Sequence, residues 1–347
     1  MIAPGFLYAL FAIPLAAPAQ SALPAVPPPS NSVQLNVVVD AKSGQPVTNL
    51  RQQDFTVLDN KSPRPITSFH FVSGAQEPLE VIFVIDAVNT PFDLVAFMRL
   101  SIDKFLKARP ALVHPTTIAI LTDRGIQIDN NFSSNGIGLA EDLEHRPIAL
   151  REITVSSQWS DIDRLSLCVK ALHQLVDFAS GLPGRKMLLF VSPGWPLLSG
   201  PGYVLNPKEE KQVFGDIVYF STQLRRADIT LYDVNPIGVD QPIFDANYYE
   251  NFLKGISKVD DAQLAGVGLQ VLSVQTGGLT LVTDSDVPGL IEKCLLDAES
   301  WYEIRFDPPP VDKPNLYHRI EVRIDQPGLT VRTRDGYYSN PVLIPSR

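Results

Sequence analysis

Cysteine is scarce in this chain. Cys168 and Cys294 are the only two in 347 residues, which excludes a disulfide-stapled framework and a cysteine-ligated zinc cluster. Histidine offers no metal site either: His70, His114, His145, His173 and His318 are scattered, and none pairs with another His or Cys at ligand spacing. Positive charge is also short. Lys and Arg number 29 against 38 Asp and Glu, for a formal net charge of −9. No Lys/Arg-rich run is present to neutralise phosphates, so nucleic acid and anionic membrane surfaces are excluded as main partners. No G-x-S-x-G elbow occurs, and Gly277-Gly278 closes a predicted helix ahead of a strand, the wrong order for a phosphate-cradling loop. No segment approaches 18 uninterrupted apolar residues, so nothing after the N-terminal segment reads as a spanning helix.

What is present is an ordinary globular composition, with 45% hydrophobic and 19% charged residues, in a chain long enough for two domains. Residues 1–19 read as a secretory signal. The apolar run from Phe6 to Ala16 is too short to cross a bilayer, and Ala17-Pro18-Ala19 supplies the small-x-small cleavage pattern. No Lys or Arg precedes that run, which leaves an uncleaved anchor as the alternative and the one route to a membrane. Export places the protein in the periplasm or outside the cell. A proline-rich linker, residues 20–31, follows.

From there the hydrophobic period changes twice. Val33, Leu35, Val37 and Val39 alternate, and two further strands flank the turn at Asp59-Asn60-Lys61, so residues 32–77 are β-rich. From 78 to 298 short apolar runs (VIFVID, TIAILT, MLLFVS, ITLYDV, LTLVT) alternate with helical spacing, clearest in Ile162, Leu165, Val169, Leu172, Val176 and Ala179. Continuous apolar strands are covered on both faces, and strand–helix alternation predicts a doubly wound, mostly parallel, Rossmann-like sheet. Right-handed crossovers then put the first and last helices on one face and the middle helices on the other. Cys168 and Cys294 fall in helices on opposite faces, which argues against their pairing. Residues 299–341 return to β, with Ile320, Val322 and Ile324 alternating. Neither β segment suffices alone, so the two are expected to meet in one β-sandwich, with two separate edge extensions as the alternative.

VIFVIDAVNT, GLPGRKMLLFVSPGWP and YHRIEVRIDQPGLTVRTRDGYY resemble the family of von Willebrand factor A-related domains described from acidobacteria. The N-terminal pattern around VQLNVVVD…GQPVTNL…DFTV is similar too, with Leu35 at one of the valine positions. The likeness covers nearly all of the mature chain. It implies an exported relative of the von Willebrand A domain, a fold whose usual work is to bind other proteins through a metal ion.

That resemblance implies a ligand set: D-x-S-x-S after the first strand, a threonine from a later loop, and an aspartate after the fourth strand, around Mg²⁺ or a similar ion. Asp86 and Thr90 match their positions, and Ser166 falls at the threonine position. Val88 has no side-chain oxygen, and Ser192-Pro193-Gly194 stands where the second acid belongs. Asp233 and Asp284, at strand ends, are candidates to compensate. Thr90-Pro91-Phe92-Asp93 also reads as a helix start, with Thr90 as N-cap and Asp93 completing an approximate capping box. The expectation is a degenerate, non-functional metal site and no cofactor. Two long loops follow strands of the sheet and overhang its carboxyl-end crevice. Their aromatics, Trp195, Tyr203, Phe244, Tyr248, Tyr249 and Phe252, suit a protein-binding surface or else fold the loops onto the domain. The resulting expectation is a non-enzymatic, exported binding module for a protein or peptide. A metal-dependent hydrolase on the same scaffold and a structural envelope component are the alternatives.

Overall fold

The strands appear where the apolar runs predict them. A computed structural model describes residues 32–147, 158–195, 204–236, 255–282, 286–311 and 313–343, with side chains of the helix beginning at 158 described from 163 onward. The signal and linker readings, Asp284, Tyr203, Phe244, Tyr248, Tyr249 and Phe252 lie outside those residues. Among the described residues, no helix is long and apolar enough to cross a membrane.

The central sheet holds β5 (Leu79–Asp86), β6 (Ala111–Thr122), β7 (Gly125–Ile128), β9 (Arg185–Val191), β10 (Ile229–Asn235) and β11 (Thr280–Val282), in the order β11-β10-β9-β5-β6-β7. β8 (Ser133–Asn135) pairs with β6 to make it seven-stranded. All neighbours from β11 to β6 run parallel, while β7 and β8 return antiparallel to β6. The chain is thus α/β, built on a mostly parallel sheet.

Side-chain alternation divides the core between the two faces. Val81, Phe83 and Ile85 of β5 pack with Val95, Met98, Ile102 and Phe105 of α1 (Phe92–Lys107), Leu139 and Leu143 of α2 (Gly136–His145), and Val287, Ile291 and Cys294 of α6 (Val287–Leu295). Ile82 and Val84 face the other way, onto Leu165 to Ala179 of α3 (Gln158–Ser180), Val213 to Leu224 of α4 (Pro207–Arg226), and Leu269 and Leu272 of α5 (Leu269–Gln275). First and last helices share one face, as right-handed crossovers require. Cys168 and Cys294 lie on opposite faces, both buried and free.

The ends of the chain combine. β1 (Val33–Ala41) pairs with β12 (Ser300–Phe306) and β14 (Leu329–Arg332), and β12 with β4 (Ile66–Ser73), giving one antiparallel four-stranded sheet. The other contains β15 (Gly336–Ser339), β13 (Leu316–Ile324), β2 (Phe55–Asp59) and β3 (Ser62–Arg64). Leu35, Val37 and Val39 from one sheet share a core with Phe55, Val57, Ile320 and Val322 from the other, with Ile324 packed at its margin. The tight β2–β3 turn places Asn60 and Lys61 at φ 48° and 67°, the double left-handed geometry that matches hairpin twist.

Two elements depart from the periodicity. The helix expected across Leu264–Val274 is interrupted: a 3-10 turn covers Leu264–Val267, Gly268 is extended, and α5 starts after it. A glycine at the join resists helix continuation through its conformational entropy. The helix α2 was not signalled by its apolar spacing. Its cap, Asn135, accepts from Gly138 N at 3.1 Å.

Candidate functional site

Period-two alternation delivers three polar side chains to the carboxyl end of the sheet, on the α3 side. Ile82, Val84 and Asp86 share a face of β5; Leu188, Phe190 and Ser192 continue the same face of β9; Ile229, Leu231 and Asp233 do so on β10. β9 lies between β5 and β10; Ser192 follows Val191, the partner of Ile85, and so stands level with Asp86, while Asp233 pairs with Phe190 two residues back. All three residues are fully buried.

Asp86 is completely engaged by protein donors. Its Oδ1 accepts from the backbone amides of Val88 and Asn89, both at 3.0 Å, and its Oδ2 accepts from Asn89 Nδ2 and Ser192 Oγ, both at 2.7 Å. Ser192 Oγ in turn accepts from Gly194 N at 3.0 Å, and Asn89 Nδ2 also reaches Cys168 Sγ at 3.1 Å. Gly194 sits at φ +103°, where a Cβ would stand 2.6 Å from Gln270 Nε2, so the turn after β9 is made for glycine. Burial pushes the Asp86 carboxyl up from its ordinary range, and these four donors pull it back.

Asp233 has the reverse situation. Neither of its oxygens has a hydrogen-bond partner among the described residues. Burial, reinforced by the Asp86 carboxylate, drives its pKa well above the usual value.

Thr90 does not cap α1. The helix begins at Phe92, its N-cap is Pro91, and no side chain closes the cap. Pro91 O accepts the first helical bond from Val95 N at 2.9 Å. Asp93 is therefore one position too early for a capping box, though it still suits the positive end of the helix. The Thr90 hydroxyl is instead buried, without a partner among the described residues. Ser166 is a second correction: it lies on the exposed face of α3, one residue out of step with buried Leu165, and cannot join Asp86. Trp195 is a third. It is 4% exposed and packs edge-on to Phe190 with ring centroids 6.0 Å apart, which makes it part of the core rather than a contact surface.

Set against the ligand positions that the resemblance implies, the residues differ at Val88, Ser166 and Ser192. Asp86 gives its acceptor positions to the chain's own donors, and Ser192 donates where an acid would coordinate an octahedral ion. Val88 is apolar, while Thr90 Oγ1, Asn89 Oδ1 and both Asp233 oxygens have no hydrogen-bond partner among the described residues. Among the described residues, no group of three or more His, Cys, Asp or Glu is placed to hold a metal.

Phe92 was not singled out by its sequence context, yet it is 64% exposed at the start of α1, close in sequence to the Asp86–Ser192 pair. A phenylalanine in the first turn after a proline carries no sequence mark of exposure, because the same spacing also serves as a core position. At the other end of the sheet, a cavity of about 560 Å³ is lined by Val81, Phe83, Phe105, Leu112 and Leu295, with the Arg109–Glu292 ion pair at its rim. It contains no catalytic constellation.

No family model matches this chain, and no curated protein matches it. Among solved structures, proximal thread matrix protein 1 from the mussel byssus aligns with a TM-score of 0.37 at 10% identity, over 68% of this chain and 50% of that one. The chain thus spans half of the mussel protein. The N-terminal domain of TFIIH p34 aligns with a TM-score of 0.33 at 8% identity, over 65% of this chain and 98% of that one. Likeness at this level carries no inference about what the chain does.

Proposed function

We propose that this chain is an exported von Willebrand A-like module, carried with a β-sandwich made from its two ends, that binds a protein or peptide partner without a metal ion. The observation that carries the ion-free reading is the saturation of Asp86, whose four acceptor positions are all filled by the chain's own donors. The aspartate acts as an internal staple joining the β5 and β9 ends, and the same staple shapes the loop that presents Phe92. An exposed aromatic at the start of α1, the helix that follows β5, supports partner binding at that end of the sheet.

Two measurements test this. Thermal melts of the purified protein in EDTA, Mg²⁺, Mn²⁺ and Ca²⁺ are expected to coincide, since a ligand that binds only the native state raises the midpoint. A saturable rise at millimolar cation that Asp86→Ala abolishes would sink the ion-free reading. For the partner, a photo-crosslinker placed at position 92 is expected to trap a specific envelope protein that the same crosslinker at Lys61, on the β2–β3 turn, does not. Equal labelling from both positions would remove the crevice as the binding face.

A further inference from the structure

The segment from Arg51 to Arg64 takes no part in the carboxyl-end site, yet it builds a cavity of its own on the β-sandwich. Arg51 precedes a 3-10 turn, Gln52–Asp54, and Arg64 ends β3. With Gln52, Gln53 and Thr56 these two arginines line a cleft of about 580 Å³, to which the buried Phe55 and Val57 also contribute.

Local sequence holds Arg64 in place. β3 is the edge strand of its sheet, and Arg64 stands opposite Val57 of β2. Pro63 and Pro65 flank it. Their rings fix φ on either side and withhold the N–H donors that an added strand would need. After Pro65 the chain leaves for β4 in the other sheet. The arginine is therefore carried on a backbone with little freedom, at an edge poorly suited to strand addition.

The acids of this segment are already used by the chain. Asp59 Oδ1 meets His318 Nδ1 at 2.7 Å, and its Oδ2 accepts from Tyr337 Oη at 2.8 Å. Asp54 Oδ2 accepts from Arg51 N at 2.7 Å. Arg64 Nε lies 3.7 Å from Asp59 Oδ2, outside hydrogen-bond range. That nitrogen is buried and has no hydrogen-bond partner among the described residues. Arg51 is exposed and forms no ion pair among the described residues. Arg323, opposite Thr56 on β13, is answered by Glu321, with Nε to Oε1 at 2.6 Å.

Among the described residues that line the cleft there is no carboxylate, although the whole chain carries a formal charge of −9. Local charge thus runs against the sign of the molecule. A buried donor without a partner marks a missing ligand group or water, and guanidinium forks match the paired oxygens of carboxylate and phosphate. The remaining polar groups are of a different kind. Amides and hydroxyls both donate and accept, as the hydroxyls of a polyol do. Gln52 Nε2 donates to Ile66 O at 3.3 Å, which orients the side chain and leaves its Oε1 as an acceptor. The volume falls within the range of small-molecule sites, about 300–1,000 Å³.

We infer that this cleft binds a small polyhydroxylated acid, with Arg51 and Arg64 on its carboxylate or phosphate and Gln52, Gln53 and Thr56 on its hydroxyls. The test is isothermal titration of the purified full chain, at constant ionic strength in chloride, with glucuronate, glycerol phosphate and uncharged glucose. Saturable binding is expected for at least one of the two acids and not for glucose. Binding of glucuronate alone assigns the site to carboxylates, of glycerol phosphate alone to phosphates, and of both to oxyanions in general. Arg51→Met and Arg64→Met should each weaken the bound acid at least about tenfold, the effect of losing one charge-assisted contact. Lys211→Met, an equal change of charge at an exposed position of α4, should not. If Arg64→Met does not fold, the exposed Arg51→Met carries the test. Absence of saturable binding by either acid, equal binding of glucose, binding unchanged in the Arg51 variant, or equal weakening by Lys211→Met would each overturn the inference.

Discussion

Replacing Asp86 by alanine separates a structural staple from a metal ligand. The substitution removes the acceptor of four hydrogen bonds, at 3.0, 3.0, 2.7 and 2.7 Å. Two of the donors are buried beyond rescue by bulk water: the Val88 amide, on a residue 1% exposed, and the Ser192 hydroxyl, on a residue 0% exposed. Leaving each unsatisfied costs about 1–3 kcal/mol. The Asn89 donors are only partly buried and recover water. Against this stands relief of the desolvated carboxylate, whose raised pKa records the cost of its burial. The expected net loss is about 3 kcal/mol, read as a lower urea midpoint at unchanged slope in EDTA-containing buffer. Ser192→Ala should be milder, and the double variant should fall short of the sum because the two side chains touch. A loss below about 1 kcal/mol in EDTA would refute the reasoning. It would mean that the four contacts are not what Asp86 is for.

Stability should fall as pH rises from about 4 to 7. Burial raises Asp216 to about 6 and Asp335 to about 7, so between the unfolded and folded pKa values the native state binds the extra proton. Their stabilisation is complete below the unfolded value and is lost as pH rises through the folded one, with a slope of at most about 1.4 kcal/mol per pH unit for each group. Asp335→Asn should flatten the upper part of that slope in urea titrations at stepped pH, and an unchanged slope would contradict the assignment. Asp297→Ala breaks the buried fork from Arg332 and strands Tyr232; equilibrium unfolding should register a loss of about 3–5 kcal/mol, and a near-neutral result would show the junction to be solvated. Thiol titration should find neither cysteine reactive in the native protein and both reactive in denaturant, because both are buried and unbridged and burial raises both thiols. Rapid native labelling would place at least one at the surface.

Much of the fold was legible because it depends on local period. Continuous apolar runs such as VIFVID and MLLFVS mark strands covered on both faces, and the 3-4 spacing of Leu165, Val169, Leu172 and Val176 marks α3. The handedness of crossovers then separates Cys168 from Cys294 without any coordinate. The meeting of the two β segments followed from their shared inability to bury an apolar face alone. Legibility failed where two local rules competed for the same residues. Thr90-Pro91-Phe92-Asp93 satisfies the composition of a capped helix start, yet the helix begins one residue later and Thr90 turns inward. Ser166 failed because alignment to a pattern does not specify helical phase, and a single residue's offset puts a hydroxyl in solvent.

The sequence by itself determined the strand–helix alternation and the faces of the helices, since both follow from hydrophobic period and chain handedness, while the pairing of the two chain ends was chosen over separate edge extensions by the structure. Only the tertiary structure decided what the polar residues do. Whether Asp86 is a ligand or a staple depends on how many donors converge on it, and those donors come from β9 and from the backbone two and three residues onward. Whether Arg332 is paired depends on which carboxylate reaches it, and Asp297 does, from 35 residues earlier in the chain. Hydrogen bonds and charges are settled at distances of about 3 Å, between residues that the chain order keeps far apart.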